Sequence, residues 1–187
     1  LHTCRAAASS FNSIDLLASW LEQQNPSHAL YLAAWSPCAS KELMLALIAK
    51  PCVLAANASW AGTPLYLACR AGYAQVVHQL LKNGADPNEQ SHDQTPLMAA
   101  ITARLKNSGN TKCVEELVHA EGVDLEMRGW EGFTSLHFAV LEGFADAARL
   151  LVKAGDDVHA RRPRGGITPL HLASGKKEMV CVLLQNS

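Results

Sequence analysis

Eight histidines and six cysteines are the side chains in this 187-residue sequence that could hold a metal or move a proton. Their spacing decides whether they do. His2, His28, His78, His92, His119 and His159 show no HExxH or His-x-x-x-His pattern, and His137 and His171 each follow a threonine by three positions. Cys4, Cys38, Cys52, Cys69, Cys113 and Cys181 are scattered singly, with no CxxC pair. Several fall within helical patterns where a small apolar side chain suits, so reduced, buried thiols of an intracellular chain are expected ahead of disulfides or metal ligands. A GxSxG elbow, a phosphate-binding glycine loop and a dinucleotide fingerprint are missing from the sequence, and Gly165-Gly166 has the setting of a hairpin tip. No catalytic residue, metal ligand or cofactor is expected, and the chain is read as non-enzymatic.

Charge is the remaining chemistry. The 16 basic and 17 acidic residues leave a net charge of −1, which offers neither nucleic acid nor an anionic membrane a field to follow. The distribution is uneven: residues 1–60 hold 3 of each sign, 61–160 hold 8 basic and 13 acidic, and 161–187 hold 5 basic and 1 acidic. Arg161-Arg162-Pro163-Arg164 is the densest cluster. It is either a solvated tip or a contact for carboxylates or phosphates, which arginine grips bidentately. Aromatics of the kind that stack single-stranded nucleic acid are not interleaved there, so an acidic protein surface is favoured over RNA or DNA. No apolar run approaches the ~18 residues that a membrane span requires. The chain opens on Leu1 with no basic-then-apolar leader, and is read as part of a longer polypeptide.

The elements that would position these groups come from self-similarity. Gly-Thr-Pro-Leu-Tyr-Leu-Ala at 62–68, Gln-Thr-Pro-Leu-Met-Ala-Ala at 94–100, Phe-Thr-Ser-Leu-His-Phe-Ala at 133–139 and Ile-Thr-Pro-Leu-His-Leu-Ala at 167–173 align, with their threonines at intervals of 32, 39 and 34 residues. A second block follows three of them: Leu80 to Asp86, Leu117 to Asp124 and Leu150 to Asp157. Thr63, Thr95, Thr134 and Thr168 have the chemistry of helix N-caps, and proline follows three of them at the first helical position, where its missing N–H costs nothing. Leu65, Ala68 and Cys69, like Leu136, Ala139 and Val140, recur at the spacing of one apolar stripe. Gly72 and Gly143 are placed to end these short helices. A second apolar helix, clearest at 76–81, closes at Gly84, and Asp86-Pro87-Asn88 then has turn chemistry.

These blocks resemble the ankyrin repeat, whose period is about 33 residues. The resemblance implies an all-α solenoid of stacked helix-turn-helix units joined by short β-hairpin loops. The units are expected at 1–26 (a degenerate unit or cap), 27–60, 61–92, 93–131, 132–165 and 166–187 (short or truncated). It implies a protein–protein interaction module, a scaffold, adaptor or recruiting arm, that binds a partner protein or peptide along a concave face of hairpin tips and inner helices. The alternatives are a regulatory or targeting segment of a larger enzyme or channel, or capture of an acidic or phosphorylated ligand by the Arg161–Arg164 end. On that face fall Trp60, Arg70, Tyr73, His92, Trp130, Glu131 and Leu141, with Arg161, Arg162 and Arg164 as an electrostatic end. Each tryptophan either packs on its neighbouring hairpin or anchors the partner. His137 and His171 stand where the family ties repeats together by imidazole hydrogen bonds. Asn88, eight residues after Leu80 and two after Asp86, matches the pattern that asparaginyl hydroxylases accept.

The unit at 93–131 carries about five extra residues between Ala100 and Thr111, expected either as a longer first helix with a tolerated loop or as a partner-contacting protrusion. The last unit is short between Ala173 and Glu178.

Overall fold

The computed structural model describes residues 41–48, 62–103 and 108–185, with isolated positions at 19 and 23. Nine α-helices lie in that range, with a 3-10 turn at Trp130–Gly132: α1 (Lys41–Ile48), α2 (Pro64–Ala71), α3 (Ala74–Lys82), α4 (Pro96–Thr102), α5 (Ser108–Val118), α6 (Ser135–Leu141), α7 (Ala145–Lys153), α8 (Pro169–Leu172) and α9 (Lys177–Leu184). From α2 onward they come in pairs. Within each pair the short first helix begins at its threonine. Thr63 Oγ1 accepts from the Tyr66 N–H at 3.2 Å and Thr95 Oγ1 from the Met98 N–H at 3.2 Å, satisfying donors the first turn leaves free. Gly72 adopts φ 74° behind α2, turning the chain into α3 without Cβ strain.

The pairs stack in two layers. First helices pack in series, α2 on α4, α4 on α6 and α6 on α8; second helices do the same, α3 on α5, α5 on α7 and α7 on α9, with α1 against α3. The buried core runs the length of the stack, from Leu43, Met44 and Leu47 through Leu65, Val76, Leu97, Ile101, Leu117, Leu136 and Leu151 to Met179, Val182 and Leu183. One pair could not bury such a face alone, which is why the apolar stripe of each unit is completed only by the next.

The connections are turns rather than β-ladders. Among the described residues β-pairing is one bridge, Ser91 with Gln94, so the expected hairpins carry little strand character. Their tips are tight: His92, Asp93 and Glu131 hold φ near 55° (53°, 55° and 54°). Gly129 allows the backbone of one hairpin to approach the last. A Cβ there would sit 2.5 Å from Met98 Sδ and 2.7 Å from the Asp93 carbonyl oxygen, which accepts the Trp130 N–H at 2.8 Å.

The extra residues do not lengthen the first helix, as one of the two readings had it. α4 has 7 residues, as α6 does, whereas α5 has 11 against 9 for α3 and α7. The first helix ends at Thr102, whose Oγ1 bonds back to the Met98 carbonyl at 2.9 Å, and Ala103 turns extended. Asn110 Nδ2 then donates to the Ala100 carbonyl at 3.2 Å, tying the start of α5 to that end. Residues 104–107 lie outside the described residues, as do 1–18, 24–40 and 49–61.

Candidate functional site

Successive loops are stitched together by side chains, and the stitching decides which groups remain available. Asn88 Nδ2 donates to the Gly122 carbonyl and its Oδ1 accepts from the Asp124 N–H, both at 2.8 Å. Gln90 Nε2 donates to the Arg128 carbonyl at 2.8 Å. Arg128 donates to the carbonyls of Gly132 (3.1 Å) and Arg161 (2.9 Å). Arg162 donates to the Glu131 carbonyl at 3.0 Å, pairs with the Glu131 carboxylate, and lies 4.7 Å from the Phe133 ring centroid.

His137 is the interior tie. Two donors, the Thr134 N–H (3.3 Å) and the Thr134 hydroxyl (2.8 Å), converge on its Nδ1, so that nitrogen carries the lone pair. The proton therefore sits on Nε2, which donates to the Ile167 carbonyl of the next unit at 3.1 Å. Burial lowers the His137 pKa from its ordinary value, the Ile167 bond working against it, so the ring is neutral in the fold. His171 makes the same contacts to Thr168 but is exposed.

The partner face expected from the sequence divides on inspection. Trp130 is 59% exposed at its loop tip, and Leu141, at the end of α6, is 41% exposed. Arg70 and His92 are exposed, the His92 ring tilted 5.9 Å from Tyr66. Arg161 and Arg164 are exposed, and no side-chain hydrogen bond or ion pair engages either among the described residues. Arg162 is different: its side chain is 17% exposed, held by Glu131 and Phe133. Two predicted contacts, Glu131 and Arg162, thus bind each other across the loops. Tyr73 is half-buried at the N-cap of α3, where burial raises its phenol pKa. Trp60 lies outside the described residues. Leu170, 45% exposed on α8, and Leu184, 57% exposed on α9, were not singled out from the sequence; the equivalent of Leu170 one unit earlier is Leu136, which is fully buried.

Cys69 and Cys113 are free and buried, their thiols pushed up by desolvation, Cys113 to about 12, so neither is a nucleophile. Among the described residues no group of His, Cys, Asp and Glu could hold a metal ion, and no helix is long and apolar enough to cross a membrane.

A family model for ankyrin repeats (three copies) matches residues 5–107, 65–162 and 103–187. The chain is 36% identical to the NF-kappa-B inhibitor cactus of Drosophila melanogaster over 113 residues, 59% of this chain and 21% of that protein. It is 36% identical to alpha-latroinsectotoxin-Lt1a of Latrodectus tredecimguttatus over 99 residues, 53% of this chain and 7% of the toxin. With the B-cell lymphoma 3 protein homolog of Mus musculus it shares 35% over 112 residues, 58% of this chain and 24% of the relative. The matched segment thus spans a quarter or less of each of these relatives. Capped helix pairs, stacked layers, the His137 tie and the family match agree: the chain belongs to the ankyrin-repeat family, whose repeats are protein-interaction modules.

Proposed function

We propose that this array holds a partner protein along the face made by its loop tips and first helices, acting as a scaffold, adaptor or recruiting arm. The observation that carries the reading is Trp130. A side chain of that size left 59% in solvent at a tight tip does nothing for the core, and tryptophan is enriched among binding hot spots. Leu141 extends the apolar part of the face, and the exposed Arg161 and Arg164 supply a basic end suited to an acidic protein surface. The units proposed at 61–92, 93–131, 132–165 and 166–187 each contribute one helix pair to it. Free thiols at Cys69, Cys113 and Cys181 fit a reducing, intracellular setting.

The relatives' names do not converge on one partner, since one is an NF-kappa-B inhibitor and another a toxin. The partner is therefore to be found experimentally. Proteins captured from native cells by the intact chain are compared with those captured by Trp130→Ala and by Arg161→Glu/Arg164→Glu. The true partner is retained by the first and depleted from the other two. Equal retention by all three removes this face as the binding site.

A further inference from the structure

The joints between successive loops can be matched position by position. Gly84-Ala85-Asp86-Pro87-Asn88, Gly122-Val123-Asp124-Leu125-Glu126 and Gly155-Asp156-Asp157-Val158-His159 are equivalent segments. At the earlier joint the Asn88 amide fills two roles, accepting from the Asp124 N–H and donating to the Gly122 carbonyl. At the later joint Glu126 takes the place of Asn88. Its Oε1 accepts from the Asp157 N–H at 3.0 Å, but an ionised carboxylate has no donor for the second role. In the same joint, where Ala85 and Val123 stand in the preceding units, is Asp156. It is 4% exposed, and both its carboxyl oxygens are buried without a hydrogen-bond donor. A buried, unsatisfied carboxylate beside a second carboxylate is costly unless a proton lies between them.

We propose that Asp156 and Glu126 share one proton as a carboxyl–carboxylate hydrogen bond, which makes the joint between these two loops sensitive to alkaline pH, whereas the amide joint at Asn88 is not. The charged groups acting on Asp156 are Glu126 from the preceding loop and Asp157 beside it, both acidic. The nearby cations are committed elsewhere or turned outward. Arg128 donates to the Gly132 and Arg161 carbonyls, Arg162 pairs with Glu131, and Lys153 at the end of α7 is exposed. His137, which feels Glu126, is the neutral ring described above.

Burial first, then Glu126, then Asp157 push the Asp156 carboxyl up from 3.8 to about 8. Because the folded pKa lies above the unfolded one, the native state holds the proton more tightly. The support from the pair is complete below the ordinary carboxylate range and is lost as pH rises to about 8. Above that, the Asp156 O–H gives its proton to solvent, two carboxylates face each other, and the Glu126–Asp157 bond is strained open.

The test is a carboxyl-carbon NMR titration of the whole chain. Asp156 is expected to titrate near pH 8, and in Glu126→Gln, whose amide supplies the donor without a proton, its midpoint falls toward the ordinary carboxylate range. In parallel, the Asp157 amide, its exchange corrected for base catalysis, should loosen toward alkaline pH in the native chain and hold steady in Asp156→Asn. An Asp156 midpoint in the ordinary carboxylate range overturns the proposal, as does alkaline loosening of Asp157 that Asp156→Asn leaves unchanged.

Discussion

His137 and His171 have the same sequence frame and unequal surroundings. Removing His137 takes one of two donors from the Ile167 carbonyl, which keeps the Arg162 N–H at 2.9 Å, and leaves the buried Thr134 without its reciprocal cap. His137→Ala is expected to cost about 2–4 kcal/mol in urea denaturation, and His171→Ala distinctly less, because water can replace what the exposed ring supplies. The pH dependence of the first has a definite sign. With its folded pKa lowered below 6.5, His137 contributes stability that is present above that value and lost as pH falls below it. The native chain should therefore weaken below about pH 6.5 in a way that His137→Ala does not. Trp130→Ala belongs to the same scale with the opposite signature: affinity for the captured partner drops by about 2 kcal/mol or more, while the denaturation midpoint barely moves.

Among the helices, the informative contact is one that the repeat pattern does not encode. Lys176, at the N-cap of α9, reaches back to the carbonyls of Val140 (2.7 Å) and Leu141 (2.8 Å), closing the C-terminal end of α6 with a cation where the helix dipole favours one. Lys176→Met keeps the stem and removes the donors, and should destabilise the chain by about 0.5–1.5 kcal/mol in equilibrium denaturation. The helices themselves were legible in the residues. Thr-Pro at the start, a stripe at three- and four-residue spacing and a glycine at the end are interactions within one or two turns, so the sequence displays them directly. The fate of the extra residues near 101–110 was not legible. The length falls on α5, with Thr102 bonded back to Met98 and Asn110 to Ala100, and neither contact is a periodic signal.

For the whole molecule, stability should follow the one-dimensional order of the stack. Ending the chain at residue 165 removes α8 and α9, and with them the Ile167 acceptor and the Lys176 cap. Amide-exchange protection is expected to fall most in α6 and α7 and least in α2 and α3. A uniform fall across all units would count against a nearest-neighbour stack. The bipolar charge acts at this scale too. If an acidic partner meets the basic end, Arg161→Glu/Arg164→Glu should slow association and flatten its salt dependence more than it changes dissociation, as surface plasmon resonance can resolve.

What the sequence alone determined is the repeat and its helices, because caps, stripes and turns join residues a few positions apart. The tertiary structure decided which polar and aromatic side chains remain free. Arg162 is consumed by Glu131 across 31 residues of chain, Asn88 is held by Gly122 and Asp124 across 34 and 36, and Trp130 is left in solvent. Those outcomes depend on how one loop lies against the next. The same is true of Asp156: the break in the Gly-Ala-Asp pattern is visible in the sequence, but only the packed joint shows a carboxyl sealed from water beside Glu126.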